Sequence, residues 1–246
     1  MEDTQYLLTT FAIILGASFI QGATAFGFAL VAVPLLLLLM PAADAVALSL
    51  ALGSLLNLFM VRIERSRIAW REIGWLMPAA AAGAVAGMFL LKSFDGPLFK
   101  AFIALAFLVM AVLMLTGRSW KAGPGQSLRQ SVGFLSGLLN GATSMGGPPV
   151  VLYLTGRGLT KERLRGTLAM FFLMGNLAAL AAFMASGLFD LQLAVTTLVL
   201  AAAVIPGSLA GRALTSRLHP GSFRRLVLAS MATLAILEIG LNLAAL

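Results

Sequence analysis

Apolar positions in this chain neither alternate with polar ones nor recur at every third or fourth place; they come in long runs. The runs occupy residues 6–40, 45–61, 73–91, 98–115, 131–154, 164–185, 191–210 and 225–246. Most have the length of one bilayer crossing, which takes about 20 predominantly apolar residues at 1.5 Å per residue. Short polar stretches separate them at 62–71, 92–97, 117–130, 156–165, 186–190 and 212–224. Strands of a membrane barrel would alternate apolar and polar over about ten residues, so the pattern predicts helices.

Two runs are not simple spans. Residues 6–40 are too long for one crossing and are interrupted by Gln21-Gly22-Ala23-Thr24-Ala25-Phe26-Gly27. Residues 131–154 are interrupted by Asn140-Gly141-Ala142-Thr143-Ser144-Met145-Gly146-Gly147-Pro148-Pro149. Glycine favours non-helical backbone and proline removes an N–H donor, so both places predict a broken helix. Irregular backbone cannot face lipid; each break must be buried in protein or line a wet cavity.

Composition narrows the class. The chain is 60% apolar and 11% charged, with a mean hydropathy of +0.99 over 246 residues. Soluble domains are about 45–50% apolar and about 25% charged. An ordinary soluble enzyme and a disordered chain are both excluded. There is no cysteine and one histidine, His219, so disulfides, thiolate catalysis and Cys/His metal sites are excluded, and no metal or cofactor is expected. The motifs of serine hydrolases, zinc proteases and P-loop nucleotide binding are missing, so the chain is not expected to be an enzyme or an ATP-driven pump. The net charge of +8 reflects cytoplasmic loops rather than a nucleic-acid partner. The acidic start, Met1-Glu2-Asp3-Thr4, lacks the basic region of a cleaved leader, so the first run is expected to stay in the mature protein.

The two breaks align with each other. Gln21-Gly-Ala-Thr-Ala-Phe-Gly27 matches Asn140-Gly-Ala-Thr-Ser-Met-Gly146 at an offset of 119 positions, which also superposes Asn57 on Asn176. At an offset of 124, Gly83 and Gly87 meet Gly207 and Gly211, Phe99 meets Phe223, and Lys100 meets Arg224. This predicts an all-α integral membrane protein built from two inverted repeats, each a broken, re-entrant helical hairpin plus three transmembrane helices. The first repeat is 1–117, a cytoplasmic linker around Gly123-Pro124-Gly125 spans 118–130, and the second repeat is 131–246. Charge supports the inversion. With both termini outside, 15 of the 17 Lys and Arg residues fall on the cytoplasmic side, and only Lys92 and Lys100 fall outside.

Such a fold brings both breaks to mid-membrane. Helix N-termini starting there offer unpaired N–H groups and a partial positive charge, a way to hold an anion without burying a cation. Candidate substrate-binding residues are Gln21, Gly22, Thr24, Phe26, Gly27 and Asn57 in the first repeat. Their counterparts are Asn140, Gly141, Thr143, Ser144, Met145, Gly146, Gly147 and Asn176. Phe26 and Met145 would form apolar walls or gates. Asn57 and Asn176 read equally as interhelical hydrogen bonds, and the two G-x-x-x-G motifs as packing faces, either within one chain or in a homodimer. Glu238, in the last run, is a candidate for proton coupling with no acidic counterpart at Met114. Asp44 and Asp190 read as helix-start residues.

The duplicated glycine-rich breaks, each opening a four-segment half, resemble the sulfite exporter TauE/SafE family of membrane transporters, most specifically at 140–149 and in the first-half copy at 21–28 with Pro34 following. The resemblance implies secondary transport of a small sulfur-containing or organic anion, no enzymatic activity, and a multi-pass place in the cell's inner membrane. An anion channel of the same fold, or a membrane scaffold that transports nothing, are the alternatives.

Overall fold

The computed structural model describes residues 2–93 and 125–215. Eight α-helices and one short 3-10 turn make up the described chain, and no strand occurs among these residues. The predicted runs at 98–115 and 225–246, the Phe99–Phe223 and Lys100–Arg224 matches, His219 and Glu238 lie outside them.

The first long run divides into α1 (Glu2–Thr24) and a short α2 (Phe28–Leu36). The interruption is confined to Ala25, Phe26 and Gly27, where Ala25 and Gly27 have positive φ of 73° and 104°. Gln21 to Thr24 stay helical, so the chain turns at the end of the glycine-rich stretch rather than throughout it. The fifth run divides in the same way, into α5 (Gln126–Thr143) and α6 (Gly147–Gly156). Ser144 adopts the left-handed conformation, φ 59°, at the place corresponding to Ala25. Pro148 and Pro149 open α6 instead of interrupting it, since the first helical turn has no use for their missing N–H groups. α5 starts at Gln126, within the stretch read as linker.

The remaining helices are long and apolar: α3 (Ala42–Glu64), α4 (Trp70–Ser93), α7 (Lys161–Ala185) and α8 (Leu191–Thr215). Together with α1 they give five helices among the described residues long and apolar enough to cross a membrane. Leu8, Leu191 and Leu198 project from the bundle with more than half their surface exposed, as lipid-facing residues do. At about 1.5 Å per residue, α2 and α6 reach only half that depth.

Among the described residues the two most extensive helix–helix contacts are α4 with α5 and α1 with α8. Both rest on glycine. A Cβ on Gly83 or Gly87 of α4 would collide with the Phe134 or Leu138 carbonyl of α5, and one on Gly207 or Gly211 of α8 with the Leu15 or Phe19 carbonyl of α1. The acceptors are again 119 positions apart. Both G-x-x-x-G faces are thus occupied within the chain, where small residues let backbones touch.

Polar contacts define the two ends of the bundle. At one end Glu64 of α3 pairs with Arg67 (3.0 Å) and with Arg212 of α8 (3.1 Å). Thr167 of α7 accepts from the Ala69 amide before α4 (2.9 Å), Glu72 of α4 pairs with Arg157 after α6 (3.3 Å), and Arg129 of α5 donates to Tyr153 of α6 (3.1 Å). At the other end Lys92 donates to the Ser186 carbonyl (3.3 Å), and Asp190 caps α8 through the Leu193 amide (2.8 Å). Among the described residues Lys92 is the one Lys or Arg that makes a polar contact at the second end.

Candidate functional site

α1 and α5 stop midway through the protein, where α2 and α6 begin. Each break is held by one amide pair. Gln21 at the end of α1 donates from Nε2 to Asn57 Oδ1 on α3 (2.8 Å), and Asn140 at the end of α5 donates from Nδ2 to Asn176 Oδ1 on α7 (3.1 Å). All four side chains are buried. In an apolar interior an unpaired amide costs about 1–3 kcal/mol, so each pair fixes its hairpin against the long helix behind it.

The threonines do local work. Thr24 donates to the Ile20 carbonyl (2.9 Å) and accepts from the Phe26 amide (3.4 Å), and Thr143 likewise donates to the Leu139 carbonyl (2.7 Å) and accepts from the Met145 amide (3.2 Å). Each hydroxyl therefore closes the end of its own helix. Gly22 lies against the Ser208 carbonyl of α8, Gly141 against the Ala84 carbonyl of α4, and Gly146 against the Ser136 carbonyl. Phe26 is half-buried beside its break.

A cavity of about 40 Å³ lies between the two breaks. From the residues expected at the site it gathers Gln21, Gly27, Asn57, Asn140, Ser144, Met145, Gly147 and Asn176. Gly22, Thr24, Phe26, Gly141, Thr143 and Gly146 stand behind this lining. The wall also includes Phe28, which closes the first-half motif at 21–28, and Ala29, Leu30, Ser49, Gly53 and Phe172; none of these was among the candidate binding residues. Ser49, Gly53 and Asn57 follow one another at four-residue spacing on one face of α3; that small and polar stripe was the available signal.

The electrostatics are those of neutral donors. Among the described residues no Asp, Glu, Lys or Arg lines the cavity. Among the described residues the amide nitrogens of Asn57 and Asn176 donate to no protein acceptor. α2 points its N-terminus at the space, and the first of its orphan N–H groups, on Phe28, is taken by Gln21 Oε1 (3.3 Å). The nearest full charge identified at the breaks is Arg165 at the start of α7, whose guanidinium donates to the Gly22 and Ala23 carbonyls (3.0 and 3.3 Å). A cation there complements the negative end of α1. In the sequence Arg165 is one more charge in a basic stretch. Among the described residues no group of three or more His, Cys, Asp or Glu is placed to hold a metal ion.

A many-helix apolar bundle with half-length helices meeting at an internal polar cavity is a multi-pass membrane protein of transporter architecture. The chain belongs to the sulfite exporter TauE/SafE family, whose model matches residues 10–237. It is therefore a member of a family of membrane transporters, not of enzymes. No match was found among curated proteins or among solved structures.

Proposed function

We propose that the protein is a secondary transporter that moves a small sulfur-containing or organic anion across the cytoplasmic membrane by alternating access. The observation that carries this reading is the convergence of both helix breaks on one cavity lined by uncommitted amide and hydroxyl groups. Donors held by buried neutral pairs can stabilise an anion and still release it, because no fixed cation has to be separated from it.

The halves act as inverted repeats in this reading. Support comes from the matched amide pairs, the matched glycine contacts, and the return of each hairpin to the side it left, as the Arg129–Tyr153 bond closes α5 and α6. The basic end faces the cytoplasm and both termini lie outside, following the distribution of Lys and Arg. One half rocks against the other around the cavity. Gln21, Gly27, Asn57, Asn140, Ser144, Met145, Gly147 and Asn176 contact the anion, and Gly22, Thr24, Phe26, Gly141, Thr143 and Gly146 hold the breaks in shape.

The test is flux in proteoliposomes together with thermal stabilisation of the purified protein by sulfite, sulfonates, sulfate and carboxylates. Saturable flux with counterflow is expected for at least one of these anions, lost in Asn176→Leu. Non-saturating flux without counterflow would make the protein a channel. No flux and no stabilisation with any anion would leave the scaffold reading.

A further inference from the structure

Ser49 is fully buried, at 0% exposure, and its hydroxyl has no partner among the described residues. A buried serine in a helix ordinarily returns its proton to the carbonyl one turn back, as Ser54 does to Leu50 (2.7 Å). Ser49 does not, and an unmade buried hydrogen bond costs about 1–3 kcal/mol. Ser18 is the other buried hydroxyl in this condition, but it sits against Gly207 at the α1–α8 contact and does not line the cavity. Ser49 does line it.

The cavity's two long walls differ in kind. α3 presents Ser49, Gly53 and Asn57, while the corresponding positions of α7 are Leu168, Phe172 and Asn176. Gly53 leaves room for the opposing amide: a Cβ there would stand 2.9 Å from Asn176 Nδ2. Phe172 instead fills its place and lies over Gly147, with Met145 and Phe28 completing an apolar lining. A cavity of about 40 Å³ holds about three waters, so its guest has few heavy atoms.

We propose, resting on the transport reading above, that Ser49 is a ligand-contacting hydroxyl that sets specificity, and that the site selects a small organic monoanion over an inorganic oxyanion. The carboxylate or sulfonate head accepts from Ser49 and the asparagine amides, and one or two carbons lie against Phe172 and Met145. Sulfate presents oxygens in every direction, and those turned to the apolar wall lose water without gaining a donor. A methyl group in that direction loses nothing. Sulfite, pyramidal with three oxygens and a lone pair, brings a second negative charge out of water to neutral donors.

The experiment uses the full chain, purified and in proteoliposomes, with acetate, methanesulfonate, butane-1-sulfonate, sulfite and sulfate as probes. Acetate or methanesulfonate is expected to bind about tenfold more tightly than sulfite or sulfate, a difference of about 1.4 kcal/mol, with butane-1-sulfonate excluded by size. Ser49→Ala is expected to weaken the organic anion about tenfold, and Ser49→Thr to keep it within about twofold. Phe172→Ser, which leaves Ser49 in place, is expected to narrow the preference for methanesulfonate over sulfite even if Ser49→Ala fails to fold. Sulfite or sulfate binding as tightly as the organic anions, or unchanged binding in Ser49→Ala, would overturn the proposal and leave transport intact. If no probe binds or moves, the transport reading fails with it.

Discussion

The two helix breaks meet the same difficulty in different ways. A helix that begins inside an apolar protein carries amide groups with no intrahelical acceptor. At the first break a side chain supplies the acceptor: Gln21, one methylene longer than Asn140, bonds Asn57 with its nitrogen and the Phe28 amide with its oxygen. At the second break the donors are removed, because Pro148 and Pro149 have none. The carbonyl side differs too. Arg165 covers the last carbonyls of α1, while the position matching Arg165 in the first half is Val46, which brings no charge to the end of α5. The first break is thus solvated by side chains and the second by chain composition. Side-chain solvation leaves more donors at the cavity and more ways to lose them.

The helix contacts beneath the breaks should respond most strongly to mutation. α5 places Gly133, Gly137 and Gly141 against the Leu76, Ala80 and Ala84 carbonyls of α4, whereas α1 carries Ile14, Ser18 and Gly22 at the corresponding places. Gly137→Ala is expected to cost on the order of 3 kcal/mol, since a backbone must move to admit the methyl. Ser18→Ala removes an unpartnered hydroxyl and is expected to be neutral or stabilising. Thermal unfolding of the purified variants checks both; similar losses would mean that the two contacts are equivalent after all.

Gln21→Leu is expected next. It strands the Phe28 amide as well as Asn57, whereas Asn140→Leu strands only Asn176, so the first variant should be less stable by about 1–3 kcal/mol. Equal destabilisation would show that the Phe28 amide finds another acceptor. Arg165→Gln removes the cation from the end of α1 and should cost about 1 kcal/mol, with Arg165→Lys recovering part of it and Val46→Ala leaving the helix end unaffected. A loss in Arg165→Gln no larger than that of Arg163→Gln, at an exposed position of the same helix, would remove the distinction. The smallest effect belongs to Pro148→Ala. It returns one donor to the start of α6, changes stability by less than about 1 kcal/mol, and should tighten anion binding slightly in the thermal-shift titration. Weaker binding would mean that the rigid start of α6 matters more than its donor count.

The membrane class, the two breaks and their correspondence were all legible in the residues. Length and apolarity of a run are sufficient to require a helix in lipid, and a repeated Gly-Ala-Thr with an amide before it is rare in otherwise interchangeable apolar sequence. The position of each turn was less so. Gly22 and Gly141 look like helix breakers but serve as close-packing sites inside continuous helices, and the chain turns one step later, at Ala25–Gly27 and Ser144–Gly146. The hydroxyls were the least legible. Thr24 and Thr143 read as donors, yet they are consumed at their own helix ends, whereas Ser49, in the middle of an apolar run, looks no different from Ser54.

Local pattern alone therefore determined that the chain enters a bilayer, that two of its apolar runs are broken, and that the two broken segments match each other in sequence, because hydropathy and backbone freedom are properties of residues next to one another. Which groups face the cavity was decided only when α3 and α7 were packed against the breaks. A hydrogen bond from a serine or threonine to its own helix and one to a guest use the same atoms, and only the neighbours supplied by distant parts of the chain determine which is made.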